Sequence, residues 1–173
     1  MKLWFRVNVA VILAFFVLGS GGFLLAQPSF LQFLNNQQIG KAAPDFTLKT
    51  LKGESVNMTK YRGGKKAIVF FWATWCPHCR TALKNLNKDY TDIEKKGIKI
   101  IIVDLAETTQ EVAYYAKKNK IALDIFLDTE GDLAEPYGII GVPTFYFIDE
   151  SGIVRAIEHA LPANYENLFV KAK

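Results

Sequence analysis

Lys66-Ala67-Ile68-Val69-Phe70-Phe71-Trp72-Ala73-Thr74-Trp75-Cys76-Pro77-His78-Cys79 is the stretch that decides the fold. From Ala67 to Trp72 the run is continuously apolar, the pattern of a central strand buried on both faces. The pentapeptide Trp75–Cys79 then holds both cysteines of the 173-residue chain. A structural disulfide framework needs cysteines spread along the sequence and paired across loops. A pair at i and i+3, after an apolar strand and at the start of a helix, is instead the pattern of a redox dithiol. Pro77 suits the first helical turn, where a missing N–H costs nothing. Free backbone N–H groups and the positive end of the helix dipole favour a thiolate at Cys76, and more thiolate means more nucleophile at neutral pH. Cys79 falls one turn later on the same side and should be the more buried, resolving thiol. The expected cycle is attack by Cys76 on a partner's disulfide, a mixed disulfide, and release by Cys79; reversed, the pair oxidises a dithiol. As an imidazolium, His78 would stabilise the thiolate by roughly 1.4 kcal/mol per pKa unit and make the disulfide more oxidising. The plain alternative for His78 is an exposed loop side chain with little effect.

Outward from this stretch, strands and helices alternate. Phe46-Thr47-Leu48-Lys49 and Ser55-Val56-Asn57-Met58 alternate in polarity around Lys52-Gly53, a hairpin signal. A helix is expected from Pro77 to about Lys95, with Leu83, Leu86, Tyr90 and Ile93 on its apolar face. Gly97 ends it, and residues 98–105 form a second buried strand. Residues 109–120 look helical, with Val112, Tyr115 and Ala116 inward. A short strand at 125–127, a helical turn at 133–137, a strand at 144–148, a turn at 149–152 and an antiparallel partner at 153–157 follow. Pro162 opens a last helix containing Tyr165, Leu168 and Phe169. The layout is a mixed-sheet α/β domain, with a parallel crossover joining the strands on either side of the dithiol helix.

The N-terminus is of another kind. Residues 1–6 carry Lys2 and Arg6, and residues 7–26 are almost unbroken apolar sequence, with Asn8 and Ser20 the clearly polar members. About twenty apolar residues cross a bilayer as a helix, and the preceding positive charges should stay cytoplasmic. The segment is expected to be an uncleaved signal anchor, placing the remainder outside the cytoplasm. The competing reading is a cleaved signal peptide, for which Leu24-Leu25-Ala26 is a poor site because Leu24 is large. No cysteine follows the run to carry a lipid anchor. Residues 27–40 read as an uncharged juxtamembrane linker, and 41–173 as the folded domain. The formal net charge is +4, but basic residues are scattered and lack interleaved aromatics, so nucleic acid is not an expected partner. Half the residues are hydrophobic, enough for a core without staples. By count, Cys76, Cys79, His78 and His159 could hold zinc, but their spacing is not that of a zinc site. No metal or cofactor is expected, and His159 reads as a surface residue after the last strand.

These residues resemble a family. Phe71-Trp72-Ala73-Thr74-Trp75-Cys76-Pro77-His78-Cys79-Arg80, with Gly141-Val142-Pro143-Thr144 downstream, is similar to thioredoxin-fold proteins. Ala43-Pro44-Asp45-Phe46-Thr47-Leu48 and the stretch 137–152 resemble the membrane-anchored TlpA/ResA/CcmG-like branch, and the resemblance runs from about residue 41 to the C-terminus. It implies a three-layer α/β/α thioredoxin fold with a mixed central sheet and an N-terminal β-hairpin extension, behind one transmembrane helix. It implies a cis bond at Val142-Pro143, facing the dithiol and leaving backbone amides free for a partner chain. Trp75, Val142, Pro143 and Thr144 would then form the partner platform, with Trp75 shielding the disulfide.

The implied activity is thiol–disulfide exchange with exported proteins, on the extracytoplasmic side of a bacterial cytoplasmic membrane. A reductant would draw electrons from a membrane donor of the DsbD/CcdA kind and serve apocytochrome c or another exported thiol protein. Two departures bear on direction. The branch's glutamate after the second cysteine is Ala82 here, and thioredoxin's buried aspartate before the first cysteine is Phe70. The Pro-His pair between the cysteines is the one found in DsbA, an oxidant, so an oxidant or isomerase is the alternative direction. Peroxiredoxins share the Ala-Pro-Asp-Phe opening, but their peroxidatic cysteine is preceded by a threonine and a proline at positions that hold Ala73 and Val69 here. A reading of another class is a thioredoxin-fold copper chaperone with the dithiol as ligand.

Overall fold

Residues 38–170 are described by the structure, a computed structural model. Segment 7–26 and the expected anchor lie outside them, and no helix among the described residues is long and apolar enough to cross a membrane. The elements run β1 (Thr47–Thr50), β2 (Ser55–Asn57), α1 (Met58–Arg62), β3 (Lys66–Trp72), α2 (Pro77–Lys95), β4 (Ile98–Leu105), α3 (Thr109–Lys118), β5 (Ile125–Asp128), β6 (Thr144–Ile148), β7 (Val154–Glu158) and a 3₁₀ helix (Tyr165–Phe169). The strands form one seven-stranded mixed sheet in the order β2-β1-β5-β4-β3-β6-β7. β3, β4 and β5 are parallel; β1 and β6 flank them antiparallel, followed by β2 and β7 at the edges.

The topology dictates which face each helix covers. From β3 to β4 to β5 the chain steps across the sheet in one direction. Right-handed crossovers then put both connecting helices on the same face. Accordingly Leu83, Leu86 and Ile93 of α2 and Val112 and Ala116 of α3 share one core with Ile68, Phe70, Trp72, Ile100 and Ile102, and Phe169 of the 3₁₀ helix joins it. Phe70 lies flat on Phe145, ring centroids 4.4 Å apart, so the position where thioredoxin has an acid is filled by an aromatic stack.

The opposite face departs from a full three-layer expectation. Ala67, Val69, Phe71, Ile101 and Val103 are covered by Phe46, by Met58 of the five-residue α1, and by Leu133 and Tyr137 from the turns at 131–139. The reason lies in the connection from β5 to β6, which must pass from one side of β3 to the other within residues 129–143. Gly131, Pro136, Gly138, Gly141 and Pro143 interrupt it too often for a helix. One helical turn survives, closed by Tyr137 N–H on Leu133 O at 3.1 Å. Tyr137 pins it by donating its hydroxyl to Pro44 O at 2.5 Å, and Tyr146 donates to Tyr137 O.

Beyond one-residue shifts at strand ends, three elements differ for local reasons. The expected strand residue Met58 instead starts α1, because Asn57 caps a helix there by accepting from Lys60 N–H at 3.0 Å. α3 stops at Lys118, where Asn119 turns back onto Tyr115 O at 2.9 Å and Lys120 takes a φ of 53°. The last helix is a single 3₁₀ segment with no side-chain cap at Asn164. The first described residues are already bonded to the domain, Gly40 N–H to Val154 O at 2.8 Å and Gln38 Nε2 to Pro136 O at 2.7 Å.

Candidate active site

β3 delivers the dithiol to the N-terminus of α2. Cys76 occupies the N-cap, and its sulfur accepts from Cys79 N–H at 3.2 Å. That N–H belongs to the free donors of the first helical turn, so the backbone places a hydrogen-bond donor on the Cys76 sulfur. Pro77 stands in the first turn, as its fixed φ and absent N–H allow. Both thiols are unbonded. Cys76 is 4% exposed and Cys79 not at all. Burial, and then the neighbouring Cys76 sulfur, push the Cys79 thiol up to about 12, so Cys79 holds its proton at neutral pH.

The segment before β6 closes the site. Val142-Pro143 is cis, and Val142 O lies 3.6 Å from Cys76 Sγ. β6 pairing begins only at Thr144, opposite Phe71, and the Val142 amide makes no hydrogen bond to a described residue. Thr144, itself buried, donates its hydroxyl to Gly141 O at 2.7 Å. Trp75, next to Cys76, is 68% exposed, and Ile140, two residues before Val142, is 88% exposed. His78 is exposed and makes no hydrogen bond to either sulfur. It lines a groove of about 770 Å³ with Pro143 and His159. His159 is exposed, as a surface reading requires, but its Nδ1 sits 3.0 Å from Pro143 O. Among the described residues no group of three or more His, Cys, Asp or Glu is placed to hold a metal ion.

Two acids near the dithiol turn are absent from the sequence reading. Glu107, just past β4, accepts from both the backbone N–H and the hydroxyl of Thr74, the latter at 2.5 Å. It thereby clamps the turn that carries Cys76. Asp104 lies opposite Trp72 in the β3–β4 register, fully buried, and neither of its oxygens has a hydrogen-bond partner among the described residues. Trp72 Nε1 beside it is also unpartnered. Burial pushes the Asp104 carboxyl up to about 9, with the adjacent Glu107 carboxylate pushing the same way, so Asp104 is neutral at pH 7. Asp104 is thus a buried acid on the strand next to β3. The signal in the sequence was an acidic residue inside the mostly apolar run Ile98–Leu105.

The chain matches the AhpC/TSA family over residues 39–157. It is 33% identical over 153 residues to the thiol-disulfide oxidoreductase ResA of Bacillus thuringiensis subsp. konkukian, covering 88% of this chain and 85% of that protein. It is 34% identical over 161 residues to the thioredoxin-like protein YneN of Bacillus subtilis, covering 91% and 89%. The crystal structure of StoA from Bacillus subtilis superposes with a TM-score of 0.61 at 30% identity, covering 73% of this chain and 94% of that one. A matching family domain, a thioredoxin-like sheet and a dithiol set against a cis-proline segment converge: the chain belongs to the AhpC/TSA family and, within it, to the ResA-like thiol-disulfide oxidoreductases.

Proposed function

We propose that this chain is an anchored, extracytoplasmic thiol–disulfide oxidoreductase in which Cys76 attacks and Cys79 resolves. The carrying observation is the placement of Cys76 Sγ between Cys79 N–H at 3.2 Å and Val142 O at 3.6 Å. The Cys76 thiolate attacks one sulfur of a partner's disulfide; the partner's other sulfur leaves as a thiolate and takes up a proton. Cys79, once deprotonated, attacks the Cys76 sulfur of the mixed disulfide. The partner's second sulfur leaves, and two electrons have passed from the dithiol to the partner. Burial of the Cys79 thiol keeps it protonated through the first step, so the two cysteines act in order.

The free Val142 amide gives an extended partner segment a backbone to pair with. Trp75 and Ile140 offer apolar contact, and Pro143 and Thr144 complete the platform. His78, two residues from Cys76 and one from Cys79, tunes the couple. Lys2, Arg6 and the apolar run 7–26 support anchoring in a bacterial cytoplasmic membrane with the domain outside. There the electron donor is a membrane thiol protein of the DsbD/CcdA kind, and the acceptors are exported proteins, apocytochrome c among them.

A Cys79→Ser variant expressed in the native membrane should accumulate mixed disulfides through Cys76, resolved by reducing agent on gels. Absence of adducts with Cys76 intact would refute the order of attack. Equilibration with glutathione decides direction: a potential near thioredoxin's, about −270 mV, marks a reductant, and one near DsbA's, about −120 mV, an oxidant.

A further inference from the structure

His159 Nδ1 faces two oxygens, Pro143 O at 3.0 Å and Thr144 Oγ1 at 3.3 Å. A carbonyl oxygen only accepts. The Thr144 hydroxyl has a single hydrogen and gives it to Gly141 O at 2.7 Å, so toward His159 it too only accepts. Two acceptors facing one ring nitrogen require that nitrogen to carry the hydrogen. His159 is therefore the Nδ1–H tautomer, and its Nε2 is the bare nitrogen when the ring is neutral. Protonation adds a hydrogen at Nε2 and leaves the Nδ1 donor in place, so the tie to Pro143 persists in both charge states.

The tie acts on a segment whose backbone has no strand partner among the described residues, although the Val142 side chain packs against both cores. Residues 141–143 precede the start of β6 and lack cross-strand partners, yet Val142 O must stand against Cys76 Sγ. Their hydrogen-bonded anchors are the Thr144–Gly141 bond within the turn, the Cys76 Sγ–Val142 O contact at 3.6 Å and the His159–Pro143 bond to the residue following β7. Of these, the His159 bond ties the turn to the β7 side of the sheet independently of the redox state of Cys76. The same ring borders the groove that His78, Thr81 and Pro143 line.

We infer that His159 is a positioning residue for polypeptide substrates: its Nδ1–H holds the Pro143 carbonyl and so aims the free Val142 backbone at the partner segment that carries the reacting disulfide. The inference rests on the disulfide-exchange reading of Cys76 and Cys79. It separates substrates by whether they have a backbone to pair. One neutral hydrogen bond sets the effect at about fivefold.

The test uses the full chain in detergent micelles, with dithiothreitol as reductant for insulin; for dithiobis-nitrobenzoate, which dithiothreitol cleaves directly, the chain is pre-reduced and freed of reductant, and its single-turnover reaction is read. Insulin serves as a polypeptide disulfide, and dithiobis-nitrobenzoate as a disulfide without a backbone. His159→Ala should raise the KM for insulin about fivefold with a much smaller change in kcat, lowering the insulin-to-nitrobenzoate preference by the same factor. His159→Asn, whose amide N–H reaches where Nδ1–H does, should restore most of that preference. Nitrogen-15 NMR of the wild-type chain should show the Nδ1–H tautomer. An unchanged preference in His159→Ala, an equal loss on both substrates, no rescue by Asn, or the opposite tautomer would each overturn the inference. Failure of the wild-type chain to reduce either substrate would instead strike the exchange reading, while the tautomer still judges the tie.

Discussion

Cys79 sits one helical turn below Cys76, donates its backbone N–H to the Cys76 sulfur, and keeps its own proton up to about pH 12. Neighbouring thiols on one helix end are thus chemically distinct because one caps the helix and the other is sealed under it. The asymmetry was legible in the i, i+3 spacing; its size was not, since burial depends on what packs above the helix. The role of His78 yields to a single substitution. The residue occupies the first turn of α2, where proline is tolerated, so His78→Pro should fold normally. If the imidazole stabilises the reduced form, its removal shifts the reduction potential toward more negative values, by about 30 mV for each ~1.4 kcal/mol lost. Equilibration of both proteins with glutathione measures this, and an unchanged potential would show His78 to be a bystander.

At the scale of elements, strand and helix spans followed apolar periodicity, and β3, α2 and β4 lie where the pattern places them. Caps escaped that pattern, because Asn57 and Asn119 act through local hydrogen bonds rather than through apolar spacing. Contacts between elements escaped it as well. The Thr74–Glu107 clamp joins residues brought together only by the parallel β3–β4 register. Glu107→Ala leaves the Thr74 N–H and hydroxyl without their acceptor and should cost about 1–3 kcal/mol. A lower urea midpoint with an unchanged slope would report it, together with slower reaction of Cys76 with a thiol reagent. Gly97 links α2 to β4 at a φ of 74° and donates its N–H to Glu94 O at 2.9 Å. A Cβ there meets open space, so Gly97→Ala is penalised by backbone conformation alone, about 1–2 kcal/mol in the same denaturation experiment.

For the whole molecule, Asp104 makes stability depend on pH. Its carboxyl titrates near pH 9 when folded and near pH 4 when unfolded. Between those values the folded chain holds a proton that the unfolded chain has released, so folding takes up a proton. Stability from this group is full at low pH and declines as pH rises across the window, by at most about 1.4 kcal/mol per unit. Asp104→Asn removes the dependence, and its stability relative to wild type should therefore climb between about pH 5 and about pH 8 in urea titrations. A constant difference would mean that Asp104 is ionised when folded. Taken alone, the amino-acid order determined the alternation of strands and helices, the thioredoxin-like domain and the dithiol at a helix start, because periodicity, proline and cysteine spacing are local signals. Tertiary structure alone decided the thin second face, the neutral Asp104 behind Trp72, the Glu107 clamp and His159 at the Pro143 carbonyl. Each of these depends on register or packing between residues distant in the chain, where desolvation and hydrogen-bond partners are set by neighbours that no local pattern names.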